Sequence, residues 1–327
     1  MKRFIAKISL LFIPLIIWYG IFLAFEPNNY FNISKEERRS VSSALPVKKM
    51  RKINWNNYEC LLLGDSRAAG IDEDVIEDIT GKKYYNLAFG GCSLQEEIDL
   101  FWWAVKQQSF DKVVFMASFW TISTAYNGDR IKYVEKVAAD PIQYLLAGQY
   151  HIETVKTILH ILKNKDENKN YTPEERKENK KYYADAIIYP LAENFEINYN
   201  AIKKIKDISD FCAENGIEFN IFIPPIDESI WEYVIKPLNL TLELDKYKSE
   251  LSMFCKVYDM EYENVRGFLE SDFADGFHLN GSTNINHEAV SDNSVLISFL
   301  RELFMVENKI SRVWMNGNLV QSQNNNY

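Results

Sequence analysis

Cys60-Leu61-Leu62-Leu63-Gly64-Asp65-Ser66 is the stretch that decides the fold. Four apolar residues in a row, closed by a glycine and an acid, read as a short strand buried on both faces, because a half-exposed strand would alternate apolar with polar. A strand over residues 58–63 delivers a serine hydroxyl at its carboxyl end. The pattern then repeats. Strands are expected over 84–89, ending at Gly90-Gly91-Cys92, and over 112–119, apolar through Val113-Val114-Phe115-Met116-Ala117. Two more are expected over 219–223, ending at Pro224-Pro225, and over 257–262. Helical periodicity fills the intervals. Helices are expected over 72–80, stopped by Gly81, and over 94–107, opened by a capping box of Ser93 and Glu96. Others are expected over 202–215, stopped by Gly216, over 242–255, and over 284–305, the last closing the domain. Strands alternating with helices predict an α/β fold with a doubly wound, mostly parallel sheet. Such sheets bind ligands at the carboxyl ends of their strands. Ser66, Gly90-Gly91, Ser118-Phe119-Trp120 and Pro224-Pro225 all follow strand ends, and so does a late motif, Asp275-Gly276-Phe277-His278-Leu279-Asn280.

The two motifs together hold the parts of a nucleophilic site. A serine hydroxyl is a weak nucleophile that needs a base within hydrogen-bond reach, and the base needs an orienting group. Ser66 would attack, His278 would take its proton, and Asp275 would fix the imidazole tautomer. A developing oxyanion needs donors, for which the backbone N–H groups of Ser66, Gly90 and Gly91 are the candidates. The plainer reading is a tight turn at Gly64, a flexible turn at Gly90-Gly91 and a chance Asp/His pair in a polar loop. Asp272 is a rival orienter. Arg67 is either a surface ion pair or a binder of an anionic substrate group, and His287 is read as structural. The other histidines, His151 and His160, form no H-x-x-x-H spacing, so neither a metal nor a cofactor is expected. The four cysteines, Cys60, Cys92, Cys212 and Cys255, make no C-x-x-C pair. Cys60 and Cys212 read as buried thiols.

Gly64-Asp65-Ser66 near the start of a domain and Asp275-x-x-His278 near its end resemble the SGNH (GDSL-type) hydrolase superfamily. The resemblance implies a flavodoxin-like sheet, Ser66 as nucleophile, Asp275 as acid and His278 as base. It also implies an oxyanion hole completed by a glycine, matched by Gly90 or Gly91, and by an asparagine in a third block. There the sequence departs from the family. After the third expected strand it reads Ala117-Ser118-Phe119-Trp120, and Asn127 is too distant to assign.

The N-terminus sets the expected location. Lys2, Arg3 and Lys7 precede an uncharged stretch over residues 8–25. As a helix it would reach about 27 Å, close to the thickness of a bilayer core. Cations before the span favour a cytoplasmic N-terminus, and no small-residue cleavage site follows, so a retained single-pass anchor is favoured over a cleaved signal. The catalytic domain would then be extracytoplasmic, at the cell membrane. Domains are expected at 1–26 (cytoplasmic N-terminus and transmembrane anchor), 27–57 (a solvated stalk) and 58–327, with a helical insertion over about 127–200 acting as a lid, a docking surface or plain elaboration. A formal charge of -9 opposes a nucleic-acid partner. An anchored domain of this type resembles the alginate O-acetylation and teichoic-acid D-alanylation proteins. That resemblance implies a serine esterase or O-acyltransferase acting on an acylated substrate or envelope glycan, beside a membrane-bound O-acyltransferase. The alternative is a non-catalytic binding or assembly subunit of an envelope acylation complex, which the missing third-block asparagine favours.

Overall fold

The computed structural model describes residues 2–26, 28–31, 33, 46–53, 57–162, 172–265, 268–280, 294–305 and 311–321. His287, the first ten residues of the helix expected over 284–305, and the tip at 163–170 lie outside the described residues. The chain divides into two compact units, one of Met1–Lys52 with Lys132–Lys169, the other of Ile53–Ile131 with Asn170–Tyr327.

The second unit holds the sheet. Its strands are β1 (Cys60–Leu63), β2 (Tyr84–Asn86), β3 (Lys112–Met116), β4 (Glu218–Ile223), β5 (Lys256–Asp259), β6 (Arg312–Met315) and β7 (Asn318–Gln321). They lie in the order β2-β1-β3-β4-β5-β6-β7. The first five pair in parallel, and β6 and β7 are antiparallel. The order of the parallel strands is the flavodoxin-like one, whose switch point falls between β1 and β3. All four residues of β1 are buried, which is why its sequence shows no alternation.

Alternate residues of the strands serve the two faces. Cys60, Leu62, Val114, Met116, Phe222 and Tyr258 join one core with Val75 and Ile76 of helix Glu73–Thr80 and Leu296, Phe299 and Leu300 of helix Ser294–Met305. On the other face helix Leu94–Ala104 packs beside Tyr199–Glu214, which in turn packs beside Thr241–Ser252. The expected capping box forms: Glu96 N donates to Ser93 Oγ, and Ser93 N to Glu96 Oε2. Cys60, Cys92 and Cys212 are buried, and all four cysteines are free thiols.

The helix expected to close the domain does not close it. The chain continues into the β6–β7 hairpin, turning through Asn316 and Gly317, both at positive φ (53° and 76°). That is the geometry an Asn-Gly pair favours in a two-residue turn. The signal stood in the sequence, with Val313-Trp314-Met315 before it and Leu319-Val320 after it.

In the first unit, residues Lys2–Phe25 form one helix. Among the described residues no helix is long and apolar enough to cross a membrane, so the expected span over 8–25 receives no support from the fold. The end of this helix is tied into its own unit instead. Trp18 Nε1 donates to His151 Nδ1 (3.0 Å), and Phe22 is buried against Tyr144 and His151. Tyr144 stacks between Tyr30 and Tyr150, and all three rings are buried. Glu26 accepts from the Tyr144 hydroxyl at 2.5 Å and from Asn28 N at 2.9 Å. Burial nevertheless raises its carboxyl above the usual range, against those bonds. Tyr144 and Tyr150 are therefore packing residues of this unit.

Candidate active site

Gly64 continues β1 past its last ladder residue. A Cβ there would meet Met116 Sδ at 2.8 Å, so only glycine lets β1 and β3 close up at this level. Asp65 follows with extended backbone and caps the four-residue helix Ser66–Ala69, its Oδ1 accepting from Arg67 N (2.9 Å). The same carboxylate holds the Arg67 guanidinium through Nε (3.0 Å) and Nη2 (2.6 Å). Arg67 is not at the surface. It is 3% exposed and Asp65 is 1% exposed. Burial would raise the Asp65 carboxyl, but the guanidinium charge and the bonds from Arg67 outweigh it, and the carboxyl lies below its ordinary range. Ser66 is therefore presented by a turn locked from beneath.

The candidate base, His278, stands on the loop after β5. His278 Nε2 is 2.6 Å from Ser66 Oγ. Its Nδ1 is 2.8 Å from Asp275 Oδ2. With the carboxylate ionised, Nδ1–H donates to Asp275 and the Nε2 lone pair faces the serine hydroxyl. Burial pushes the Asp275 carboxyl up, but its bonds from His278 and Phe277 and the imidazole beside it hold the net value below the ordinary range. The other oxygen, Oδ1, accepts from His278 N (2.9 Å) and Phe277 N (3.1 Å). One carboxylate thus orients the ring and shapes the loop. Gly276 sits at φ +96°, with Ile230 Cδ1 3.1 Å from where a Cβ would be. Asp272 serves the turn before it, accepting from Leu269 N at 2.7 Å. Tyr183 approaches the His278 ring edge-on, 6.3 Å between centroids.

Gly90 and Gly91 come to the same sheet edge. Phe89 N donates to Gly64 O (3.1 Å), carrying the β1–β2 register past the strands and setting the glycine turn beside Asp65 and Ser66. Gly91 takes positive φ (66°), and its carbonyl accepts from Arg130 Nη2. No asparagine follows β3. Ser118 Oγ accepts from Arg67 Nη2 (2.9 Å), and Phe119 N donates to Glu261 Oε2 (3.2 Å). Trp120 stacks on Phe277 (4.8 Å, 3° between planes) and on Tyr126 (5.9 Å), with the Arg67 guanidinium 5.3 Å from its ring. Sequence reasoning missed this stack. Phe277 was in view inside the late motif, but nothing in the spacing pairs it with Trp120.

Among the described residues, the carboxylates that approach closely enough to hold an ion are Glu228, Glu232 and Glu263. Lys236 already stands among them, 2.6 Å from Glu263 and bonded to Glu232.

No protein-family model matches the chain, and no curated protein is significantly similar to it. Among solved structures it is similar to a provisionally assigned platelet activating factor from Streptococcus pneumonia, at 12% identity and TM-score 0.39, over 78% of this chain and 90% of that one. It is also similar to a provisionally assigned acylhydrolase from Bacteroides fragilis, at 13% identity and TM-score 0.36, over 77% of this chain and 88% of that one.

Proposed function

We propose that this protein is a serine-dependent acyl-transfer enzyme, an esterase or an O-acyltransferase. The observation that carries the reading is the relay Ser66–His278–Asp275, hydrogen-bonded at 2.6 and 2.8 Å. Ser66 Oγ attacks an ester carbonyl carbon as His278 Nε2 takes its proton. The imidazolium is stabilised by Asp275, which remains a carboxylate. The tetrahedral oxyanion draws on the backbone N–H groups of Ser66 and the Gly90-Gly91 turn. One such donor is worth about 2.7–4 kcal/mol of barrier elsewhere. His278 returns the proton to the leaving oxygen. Water or a sugar hydroxyl then takes the acyl group from Ser66 by the reverse of the same steps.

The acceptor proposed is a cell-envelope glycan, and the location proposed is the outer side of the cell membrane, held by residues 8–25, beside a membrane-bound O-acyltransferase. The uncharged sequence and the exposure of Phe12, Ile13, Leu15, Ile16 and Ile17 support the location. Cell fractionation with mass spectrometry of the mature N-terminus tests it: a soluble product starting near Glu26 would show a cleaved signal.

The catalytic reading is tested with p-nitrophenyl acetate on the full chain, comparing wild type with Ser66→Ala. Intact mass should show one acetyl group on wild type alone. Equal labelling or turnover in both proteins would refute the assignment. A folded protein that never acylates would leave the binding-subunit reading in its place.

A further inference from the structure

The insertion expected over about 127–200 is shared between the two units, and its second part, from Asn170 on, belongs with the sheet. There helix Pro173–Tyr182 runs without a break into a single π-turn, Tyr183–Ile188. Lys177, Glu178, Lys181 and Tyr182 of this helix are exposed, as its charged sequence requires. Lys180 is not: it is 3% exposed. Its ammonium donates to Asp227 Oδ2 (3.1 Å) and to the Glu270 carbonyl. Asp227 N donates in turn to Gly276 O (2.8 Å), and Asp227 Oδ1 accepts from Ser229 N (2.9 Å). Glu270 and Gly276 both belong to the segment that leads into Asp275 and His278. One ammonium therefore grips the base loop twice, at Glu270 directly and at Gly276 through Asp227. Pulling such a pair apart leaves a buried charge uncompensated, so the helix cannot drift from the loop without a large cost.

Tyr183 stands three residues after Lys180, on the same side of the helix. Its ring meets the His278 imidazole at 79° between planes, with 6.3 Å between centroids. That is within the range of edge-to-face ring contacts. The ring opens the π-turn, and single π-turns inside helices are rare and recur at functional sites. The Asp275 bond holds one edge of the imidazole but still lets the ring swing about that bond. A second ring standing beside it closes one direction of the swing.

We infer that Tyr183 is a positioning residue for His278, keeping the imidazole turned toward Ser66, and that Lys180 fixes Tyr183 there by tying its helix to the base loop. The inference rests on the serine mechanism proposed above. The contact is one of rings, so the tyrosine hydroxyl is dispensable. This part of the insertion is then a working wall of the site and not plain elaboration.

The test uses the full chain with Tyr183→Ala, Tyr183→Phe and Lys180→Met. Turnover of p-nitrophenyl acetate gives kcat and KM. Diethyl pyrocarbonate carbethoxylates accessible imidazoles, and peptide mass spectrometry reads its rate at each histidine. Tyr183→Ala should lower kcat by about 10²-fold, the scale of a misplacement near 1 Å, with KM changed less than about threefold. Tyr183→Phe should recover kcat to within about threefold of wild type. His278 should be carbethoxylated at least fivefold faster in Tyr183→Ala than in wild type or Tyr183→Phe, while His151, in the other unit, keeps its rate. Lys180→Met should reproduce both changes, and adding Tyr183→Ala to it should lower kcat little further, because both act through one ring. If Lys180→Met does not fold, the two Tyr183 variants decide alone. Wild-type kcat in Tyr183→Ala, a loss confined to KM, equal losses in the alanine and phenylalanine variants, or unchanged reactivity of His278 would each overturn the inference and leave the serine mechanism standing. Failure of wild-type Ser66 to take an acetyl group from the ester would overturn both.

Discussion

The loop that carries the proposed nucleophile and the loop that carries the proposed base are held by different physics. Around Ser66 the holding pair is Asp65 with Arg67, whose side chains are 2% and 3% exposed. Around His278 it is Asp275 with the imidazole itself, at 17% and 14%. The first pair is a structural clamp that the reaction does not touch. The second is part of the proposed reaction and stands partly in water. Rigidity is thus placed under the proposed attacking atom, and the proposed base with its carboxylate sits partly exposed. Substitutions in the two loops should separate activity from stability.

The largest effect is expected on activity. Ser66→Ala or His278→Ala should lower kcat by about 10⁴–10⁶-fold, and the double variant should lose little more, because the residues act as a unit. Steady-state turnover of p-nitrophenyl acetate measures this. Asp275→Asn should cost up to about 10⁴-fold, since the amide NH2 can donate to Nδ1 and leave the imidazole proton on Nε2, the wrong tautomer. Its melting temperature should move far less than its rate. A large loss of stability with retained activity would reverse the assignment of roles.

The clamp should behave in the opposite sense. Arg67→Met leaves the Asp65 carboxylate buried without its cation, a change that costs about 3–5 kcal/mol in comparable pairs. Urea unfolding should show it. If the midpoint barely moves, Asp65 and Arg67 are not a clamp and the contrast between the loops fails.

The two loop glycines give a finer comparison. Gly276→Ala meets both a positive φ of 96° and Ile230, whereas Gly64→Ala meets only the Met116 side chain. Each should cost on the order of 1–3 kcal/mol by its own route, backbone strain in one case and overpacking in the other. Met116→Ala should relieve only part of the Gly64→Ala clash, because the Met116 Cβ, 3.0 Å from the added methyl, remains, and no change at Ile230 should fully rescue Gly276→Ala. Full rescue there would remove strain from the account of the base loop.

The smallest effect concerns pH. Burial pushes the Glu261 carboxyl up to about 7, with Lys248 and Tyr247 opposing and Asp259 reinforcing. Unfolded, it releases its proton near 4.5. Between those values the folded state holds more protons, so this group makes stability fall as pH rises. Asp65 and Asp275 lie below their ordinary 3.8, so their contribution is complete above 3.8 and is lost as pH falls through their lower folded values. Glu261→Gln should flatten the slope of unfolding free energy between pH 4.5 and 7 and leave the acid limb unchanged. An identical slope in the variant would rule the assignment out.

Much of this was legible in the residues, for reasons that differ by element. β1 to β5 announced themselves because buried parallel strands are short apolar runs, and the motifs following them converged because strand direction sends every carboxyl end to one edge. The capping box at Ser93 worked because it is a local interaction. Arg67 was read as a surface ion pair or a binder of an anionic group, and its burial was missed, since nothing in a tripeptide reveals that its neighbour Asp65 folds back to hold it. The Trp120–Phe277 stack joins residues 157 positions apart, across β4 and β5, and no local pattern encodes such a pair. The β6–β7 hairpin was missed although Asn316-Gly317 signalled it, because the last helix was taken as the end of the domain.

That hairpin has a consequence for how the protein behaves in solution. β6 covers the outer side of β5, with register Val257–Trp314, Tyr258–Val313 and Asp259–Arg312, and Trp314 Nε1 donates to Asp259 Oδ2 at 3.2 Å. Without it, the row of N–H and C=O groups on β5 would face outward beside apolar Val257 and Tyr258. Such a row is a template on which a second chain can add. The hairpin is thus a guard against self-association, and a chain cut after Met305 should sediment as oligomers where the whole chain does not. Its own outer strand, β7, is four residues long and follows a register shift between Val313 and Trp314, a short and irregular edge that offers little for another chain to extend.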